Sequence, residues 1–374
     1  MDLQEIRGKL DQIDRQFVEL LEERLDLCGQ VAADKIKTGK AVFDKEREQQ
    51  KLASVRAMAG NEFNARAAEE LFTQLMTISR RLQYQIIEEH GKKIETGFTM
   101  VDSLKKDQIK VVYQGVEGAY SHAAAMQYFG DDVDAYHVKT WEDAMDDVES
   151  GKADYAVIPI ENSSAGAVVD NYDLLIKHHN VIVAETCVAV DHALLGLPKA
   201  ELTDVERVYS HPQALMQSSD FLNQHDWQQL SMENNAVAAQ KVRDEKDPSQ
   251  AAVAGEVAGE IYGLKKLAGP INNCPDNTTR FLILAKDRVY QAGAEKISLC
   301  FELPHRSGTL YSMLGNFIFN DVNMRMIESR PIPEESWQYR FFVDIEGNLE
   351  DAGVQNALYG IMREAKNVKI LGNY

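Results

Sequence analysis

Arg7, Arg24 and Lys35 are the first residues whose types and spacing could hold a small ligand. Leu3, Ile6, Leu10, Ile13, Phe17, Leu20, Leu27 and Val31 recur at three- and four-residue steps, the seam of one long helix ending near Thr38-Gly39. Arg24 interrupts that seam, and Lys35 follows eleven residues later, three turns on, so both share a face. A seam arginine by itself snorkels to water or specifies pairing. Arg7, however, lies 17 residues from Arg24, roughly 26 Å along a continuous helix. One chain cannot close all three cations on one small molecule. If they serve one site, Arg7 comes from an antiparallel partner, and the helix predicts an interlocked homodimer.

A second helix starts at Asp44-Lys-Glu-Arg47-Glu48 and continues through Leu52 and Val55. A third runs from about Ala65 to Ile87, with Leu71, Leu75, Ile78, Leu82 and Ile86 as its stripe. Ser79 and Gln83 are four apart beside the stripe and project together. On their own they read as a polar pair at a helix interface.

Further along, Tyr155–Ile160 reads as a buried strand that breaks into a polar elbow, Glu161 to Gly166, before an amphipathic helix. Such an elbow either offers outward backbone N–H groups to a carboxylate or phosphate, or is a tight turn with Ser163 or Ser164 capping the helix. Gly115-Val-Glu-Gly118 ahead of Ser121, and Ser210-His-Pro-Gln213, form similar elbows. The first lacks the G-x-G-x-x-G spacing of a nucleotide fingerprint. His122 and His211 sit at helix starts, where a structural role is expected.

The elements that position these groups follow from pattern. Strands at Lys110–Gln114, Val133–Val138, Tyr155–Ile160 and Val181–Glu185 alternate with helices, one of them capped by Thr140. A second set has strands at Val205–Tyr209, near Trp227–Leu230 and at Ala251–Ala254, and Asn277-Thr-Thr-Arg-Phe281 then precedes the strand Phe281–Ala285. This is a parallel α/β pattern, whose ligands lie at strand carboxyl ends. From Lys296 the order is strand, helix, strand, strand, helix, strand, which is ferredoxin-like. His90 to Asp107 is polar and aperiodic, a linker.

At 374 residues the chain is long enough for two to four domains. A net charge of −19 argues against nucleic acid and anionic membranes as partners, though not against an anionic small molecule. Cys28, Cys187, Cys274 and Cys300 lie far apart without metal or redox spacing, as in reduced cytoplasmic proteins. No signal peptide or membrane span is expected, and a soluble cytoplasmic protein follows.

Residues 1–90 resemble the all-helical class of chorismate mutase through Arg7, Arg24, Lys35, Asp44, Arg47, Glu48, Ser79 and Gln83. The resemblance implies three helices in an intertwined dimer. Arg7 of the other chain, Arg24 and Arg47 would clamp the carboxylates of chorismate, since guanidinium forks match carboxylates. Lys35 and Gln83 would donate to the ether oxygen, and Glu48 would hold the ring hydroxyl.

Residues 108–288 resemble prephenate dehydratase through Gly115-x-x-Gly-Ala-Tyr-Ser-His122, Pro159-Ile-Glu-Asn-Ser163-x-x-Gly166, Tyr209-Ser-His-Pro-Gln213 and Asn277-x-Thr-Arg-Phe281. That family has two α/β lobes like a solute-binding protein, with the site in the cleft between them. By this resemblance Thr279 is the donor to the leaving hydroxyl. Glu161, Asn162, Ser163, Ser210 and Gln217 lie at substrate, and Arg280 suits a carboxylate. Read singly, Asn162 and Ser210 are caps and Arg280 a surface ion pair.

Residues 296–374 resemble the ACT regulatory domain, with Gly308, Thr309, Leu310, Glu328, Ser329, Arg330 and Pro331 at the effector motifs. Family members usually carry Gly-Ala-Leu where this chain has Gly308-Thr309-Leu310, which puts bulk and a hydroxyl beside the implied phenylalanine pocket. Taken whole, with a linker at 91–107, the chain resembles the bifunctional chorismate mutase–prephenate dehydratase family. The resemblance implies chorismate and prephenate as substrates, L-phenylalanine as effector, no cofactor or metal, and a homodimer or higher homo-oligomer. A non-catalytic amino-acid sensor and an arogenate-preferring dehydratase are the alternatives.

Overall fold

The computed structural model describes residues 2–40, 42–90, 94–306, 308–332 and 337–374. Gly91, Lys92 and Lys93, at the start of the expected linker, lie outside the described residues. The chain divides into two compact units, one of residues 1–96 with 299–370 and one of 97–298 with 371–374.

The first unit begins with α1 (Leu3–Thr38), α2 (Lys45–Met58) and α3 (Glu62–Glu89). Asp2 and Glu5 form a reciprocal capping box at the start of α1, and Gly39 ends it at φ 71, a left-handed position that glycine adopts without a Cβ clash. Asp44 caps α2 by accepting from Arg47 N at 3.0 Å. α3 packs against both α1 and α2. The first half of α1 finds no such cover: Leu3, Leu10, Ile13 and Leu20 are each more than half exposed.

The same unit holds the C-terminal segment. Its elements are the strand Lys296–Glu302, helix Thr309–Ile318, strands Met324–Pro331 and Tyr339–Glu346, helix Ala352–Glu364 and strand Lys366–Asn373. Edge to edge the strands run Met324–Pro331, Tyr339–Glu346, Lys296–Glu302, Lys366–Asn373, the ferredoxin-like βαββαβ arrangement. The helix Ala352–Glu364 packs on α3, with the rings of Tyr84 and Tyr359 4.6 Å apart.

The second unit is a two-lobed α/β body. One sheet has the order Val181–Ala189, Thr278–Ala285, Tyr155–Asn162, Lys110–Gln114, Asp134–Val138. The other runs Lys265–Ala268, His192–Gly196, Gln250–Gly255, Arg207–Ser210, Gln228–Ser231. The chain passes to the second sheet at residues 190–191 and returns before Thr278. The returning strand lies antiparallel between Tyr155–Asn162 and Val181–Ala189, pairing Thr279 with both Asn162 and Val188. Its apolar run is the core: Phe281 to Leu284 are almost fully buried.

Two expectations change. The strand after Tyr155 continues to Asn162, and Gly166-Ala167 folds back onto Glu161-Asn162. The next helix starts only at Val169, so neither Ser163 nor Ser164 caps a helix there, and the elbow presents no helix N-terminus. The reason is Asn162, whose Oδ1 accepts from the N–H groups of Ser164 and Ala165 at 3.1 and 2.9 Å and closes the turn itself. The motif Asn277–Phe281 lies largely inside its strand rather than ahead of it, because pairing begins at Thr278.

All four cysteines are free. Among the described residues no helix is long and apolar enough to cross a membrane. Residues 371–374 close the edge of the first sheet of the α/β unit, with Gly372 opposite Ile182. A Cβ on Gly372 would lie 2.0 Å from the Ile182 carbonyl oxygen. Gly372→Ala must therefore move backbone, and a loss of about 1–3 kcal/mol is expected from overpacking, read as a lower urea midpoint. An unchanged midpoint would refute the close approach.

Candidate functional sites

In the helical unit Arg24 reaches from α1 to α3, where Nη1 donates to Leu75 O at 3.3 Å and to Ser79 Oγ. Gln83 Nε2 donates to Ser79 O at 3.1 Å, while its buried Oε1 has no partner among the described residues. Lys35 Nζ donates to Val42 O at 2.7 Å. Burial pulls its pKa below the ordinary lysine value, while Asp44 and Glu48 oppose that shift. Glu48 in turn receives Arg80 Nη1 on both oxygens, at 2.5 and 2.6 Å.

Arg24, Ser79 and Gln83 thus form one linked set, and Lys35 with the carboxylates of Asp44 and Glu48 within electrostatic reach forms a second. Arg47 is exposed at the start of α2, and Arg7 is exposed in the uncovered half of α1, well away from both sets. Arg80 is absent from the sequence reading. Next to Ser79 it looks like another polar residue of α3, and the acids it meets are distant in sequence.

The second site lies where the two lobes of the α/β unit meet. Asn162 is its hub. Its Nδ2 donates to Thr279 Oγ1 at 2.9 Å and to Asn277 Oδ1 at 2.8 Å. Its Oδ1 accepts from Ser164 Oγ at 2.8 Å, and Gln217 Nε2 of the other lobe donates to Ser164 Oγ at 2.7 Å. Gln217 Oε1 is 3.0 Å from His192 Nε2, and His192 Nδ1 is 3.0 Å from Tyr120 OH. Burial lowers the pKa of His192, which favours the neutral imidazole.

The result is a polar chain of Thr279, Asn162, Ser164, Gln217, His192 and Tyr120 across both lobes, built of neutral donors and acceptors. His192 was not legible as a site residue, and Tyr120 was legible only as a member of the motif Gly115–His122. Asn277 was legible within its motif, and its buried Nδ2 has no hydrogen-bond partner among the described residues, an available donor beside Asn162.

Other expected residues are placed differently. Arg280 follows Thr279 on a strand, so its side chain takes the opposite face. There Nε pairs with Glu185 at 2.7 Å and Nη2 donates to Tyr374 OH at 2.9 Å, with Glu161 3.8 Å away. Arg280 is thus placed as the ion pair that its residue type alone suggests. Ser163 holds the strand, its Oγ accepting from Thr278 N at 2.9 Å. Ser210 is fully buried, with Oγ against Val253 O and 3.0 Å from Asn235 Oδ1. His211 caps a helix through Gln213 N, and His122 accepts from Gly118 N.

In the C-terminal segment Gly308, at φ 78, precedes the helix that Thr309 and Leu310 begin. Thr309 Oγ1 donates to Arg306 O at 2.7 Å, so the added hydroxyl is satisfied locally. A groove between this helix and α3 is lined by Arg66, Glu70, Thr73, Gly308, Thr309 and Phe319. Glu328, Ser329, Arg330 and Pro331 lie on the edge strand, with Glu328 and Arg330 half-buried and Ser329 and Pro331 exposed. They do not line that groove.

Comparison with known proteins gives these two regions names. The family model for chorismate mutase type II matches residues 6–84, and that for prephenate dehydratase matches residues 111–289. The bifunctional chorismate mutase/prephenate dehydratase of Escherichia coli (strain K12) is 32% identical over 377 residues, covering 99% of this chain and 95% of the relative. That of Aquifex aeolicus (strain VF5) is 30% identical and covers 100% and 98%.

Among solved structures, the prephenate dehydratase of Arthrobacter aurescens in complex with L-Phe is 28% identical with a TM-score of 0.66, covering 71% of this chain and 89% of that one. A protein described as GqqA, a novel type of quorum quenching acylase, is 30% identical with a TM-score of 0.65 and covers 70% and 96%. The full-length relatives match both regions in one chain and in the same order. The chain belongs to the family of bifunctional chorismate mutase/prephenate dehydratases.

Proposed function

We propose that the chain performs two consecutive reactions in phenylalanine biosynthesis at two separate sites: rearrangement of chorismate to prephenate among the helices, and conversion of prephenate to phenylpyruvate between the α/β lobes. The observation that carries the second assignment is the Thr279 hydroxyl, held by Asn162 at the lobe junction.

The rearrangement is internal to chorismate and needs no nucleophile. The protein must hold a compact conformer and stabilise charge on the ether oxygen as the C–O bond breaks. Arg24, Arg47 and the partner copy's equivalent of Arg7 receive the two carboxylates. Lys35 and Gln83, which has a second amide N–H beyond the one on Ser79, donate to the ether oxygen. Glu48 accepts from the ring hydroxyl, and Asp44 and Ser79 border the substrate. The uncovered apolar seam of α1 supports a second copy as the source of Arg7, because antiparallel pairing would bury that seam and carry Arg7 toward the other chain's Arg24.

In the dehydratase step the ring carboxylate leaves as CO₂, its bonding electrons enter the ring, and the C–O pair leaves with hydroxide, which becomes water on gaining a proton. Asn162 Nδ2 already donates to Thr279 Oγ1. The threonine O–H is therefore left to donate to the departing hydroxyl. Asn277, Gln217 and Ser164 supply neutral donors for the rest of the substrate. The βαββαβ segment acts as the regulatory domain for L-phenylalanine, with Gly308–Leu310 and Glu328–Pro331 as its effector motifs.

Chorismate loss and phenylpyruvate appearance, followed by ultraviolet absorbance, separate the two sites. Lys35→Ala should lower the first reaction about 10²–10³-fold and leave dehydration of supplied prephenate intact. Thr279→Ala should lower only the second, by about 10²–10⁴-fold. Added phenylalanine should slow dehydration. Loss of both activities in either folded variant would refute two sites.

The shared site predicts complementation. Arg7→Ala and Arg24→Ala chains, each inactive as mutase, should recover about one quarter of wild-type rate after subunit exchange, because half the dimers then hold one intact site. No recovery after demonstrated exchange would place Arg7 outside the site.

Lys35 acts protonated, and its lowered pKa brings loss of that proton closer to neutrality. Mutase kcat/KM, which reports the free enzyme, should fall with rising pH before an ordinary lysine would titrate. Lys35→Arg should lack that arm. An alkaline limb shared by both proteins would point to another group.

A further inference from the structure

The residues assigned to the rearrangement adjoin a buried guanidinium that the scheme leaves without a task. The side chain of Arg80 is 8% exposed. It holds Glu48 of α2 through Nη1, donates from Nη2 to Thr77 Oγ1 at 3.1 Å, and meets Glu364 at 3.4 Å. The Phe43 ring lies 5.2 Å from its Cζ. Glu364 is the last residue of the helix Ala352–Glu364 in the C-terminal segment. Two carboxylates from opposite ends of the chain therefore share one cation. Burial raises the pKa of Glu364, and Arg80 pulls it back.

A second contact leads to the same helix. Val42, whose carbonyl holds Lys35, packs its side chain with Tyr84 and Ile87, and Tyr359 packs on that cluster. The supports of both Lys35 and Glu48 thus rest against residues of Ala352–Glu364. A free glutamate samples several rotamers, and a guanidinium contacting both oxygens selects among them. Misplacing a contact group by about 1 Å can cost on the order of 10²-fold in rate.

We propose that Arg80 is a positioning residue for the rearrangement, and that the C-terminal helix helps aim Glu48 by holding Arg80 through Glu364. The inference rests on the reading of Glu48 as acceptor for the ring hydroxyl. It gives the C-terminal segment a part in assembling the mutase site, independent of any effector.

Arg80→Ala would strand two partly buried carboxylates and is expected to destabilise the unit strongly. The informative variants are Glu364→Gln, which is nearly isosteric, and Arg80→Lys, which keeps the charge and loses the fork. Each is made in the full chain, alone and with Glu48→Gln, with circular dichroism and melting recorded. Mutase kcat/KM and dehydration of supplied prephenate are then measured.

Glu364→Gln should lower mutase kcat/KM about 3–10-fold alone and nothing further in the Glu48→Gln background, since coupled residues are not additive. Arg80→Lys should follow the same pattern with a larger loss. Dehydration should not change. Equal losses in both backgrounds, or no loss in the single variants, would overturn the inference while leaving the site assignment standing. If Glu48→Gln itself left the mutase intact, the site assignment would fail and this inference with it.

Discussion

The α/β unit depends on one strand returning to a sheet it had left. Thr278–Ala285 enters between Tyr155–Asn162 and Val181–Ala189 and is hydrogen-bonded on both sides. Its apolar half, Phe281 to Leu284, is nearly inaccessible to water. Both faces of that half are buried, so a slip of one residue would exchange the two packed faces and disrupt the close packing of each. Between Arg280 and Phe281 the register shifts by one residue, and beyond that irregularity Thr279 lies opposite Asn162. Position at the site is thus set jointly by the packed strand and by the irregularity that separates Thr279 from it.

The helical unit solves a different problem, that of keeping several charges partly out of water. Its cations are engaged before any ligand arrives: Arg24 on Ser79, Lys35 on Val42 O, Arg80 on Glu48. Such pairing offsets the desolvation of each group. That the likeness to solved structures includes a protein described as an acylase shows why the fold of the α/β unit does not define its chemistry. The placement of side chains has to carry that argument.

Much of this was legible in the sequence. The three-four periodicity of α1 ran to Gly39, where a left-handed residue was required, and the βαββαβ order of the C-terminal segment could be read from alternating patterns. The pattern failed at Val181–Gly196, where one apolar stretch supplies strands to two different sheets, since hydrophobicity does not register a change of sheet at Asp191. It also left the partners of Arg280 unread, because a motif is written along the chain whereas a strand sends neighbours to opposite faces. Asn162 as a turn-closing hub, and Arg80 between Glu48 and Glu364, depend on contacts between distant segments. Local periodicity carries no information about those.

The helices and nearly all of the ferredoxin-like segment belong to one compact unit, although a complete α/β unit is encoded between them. At a synthesis rate of 5–20 residues per second, Glu364 emerges roughly 15–60 s after Arg80. For that interval Arg80 has one of its two acids and Tyr84 lacks the ring of Tyr359. The α/β unit, nearly contiguous in sequence, can fold while the helices wait. The amino-terminal helices are thus first to be made and among the last to be completed, and their exposed seam and half-compensated charges are what a chaperone would meet on the nascent chain.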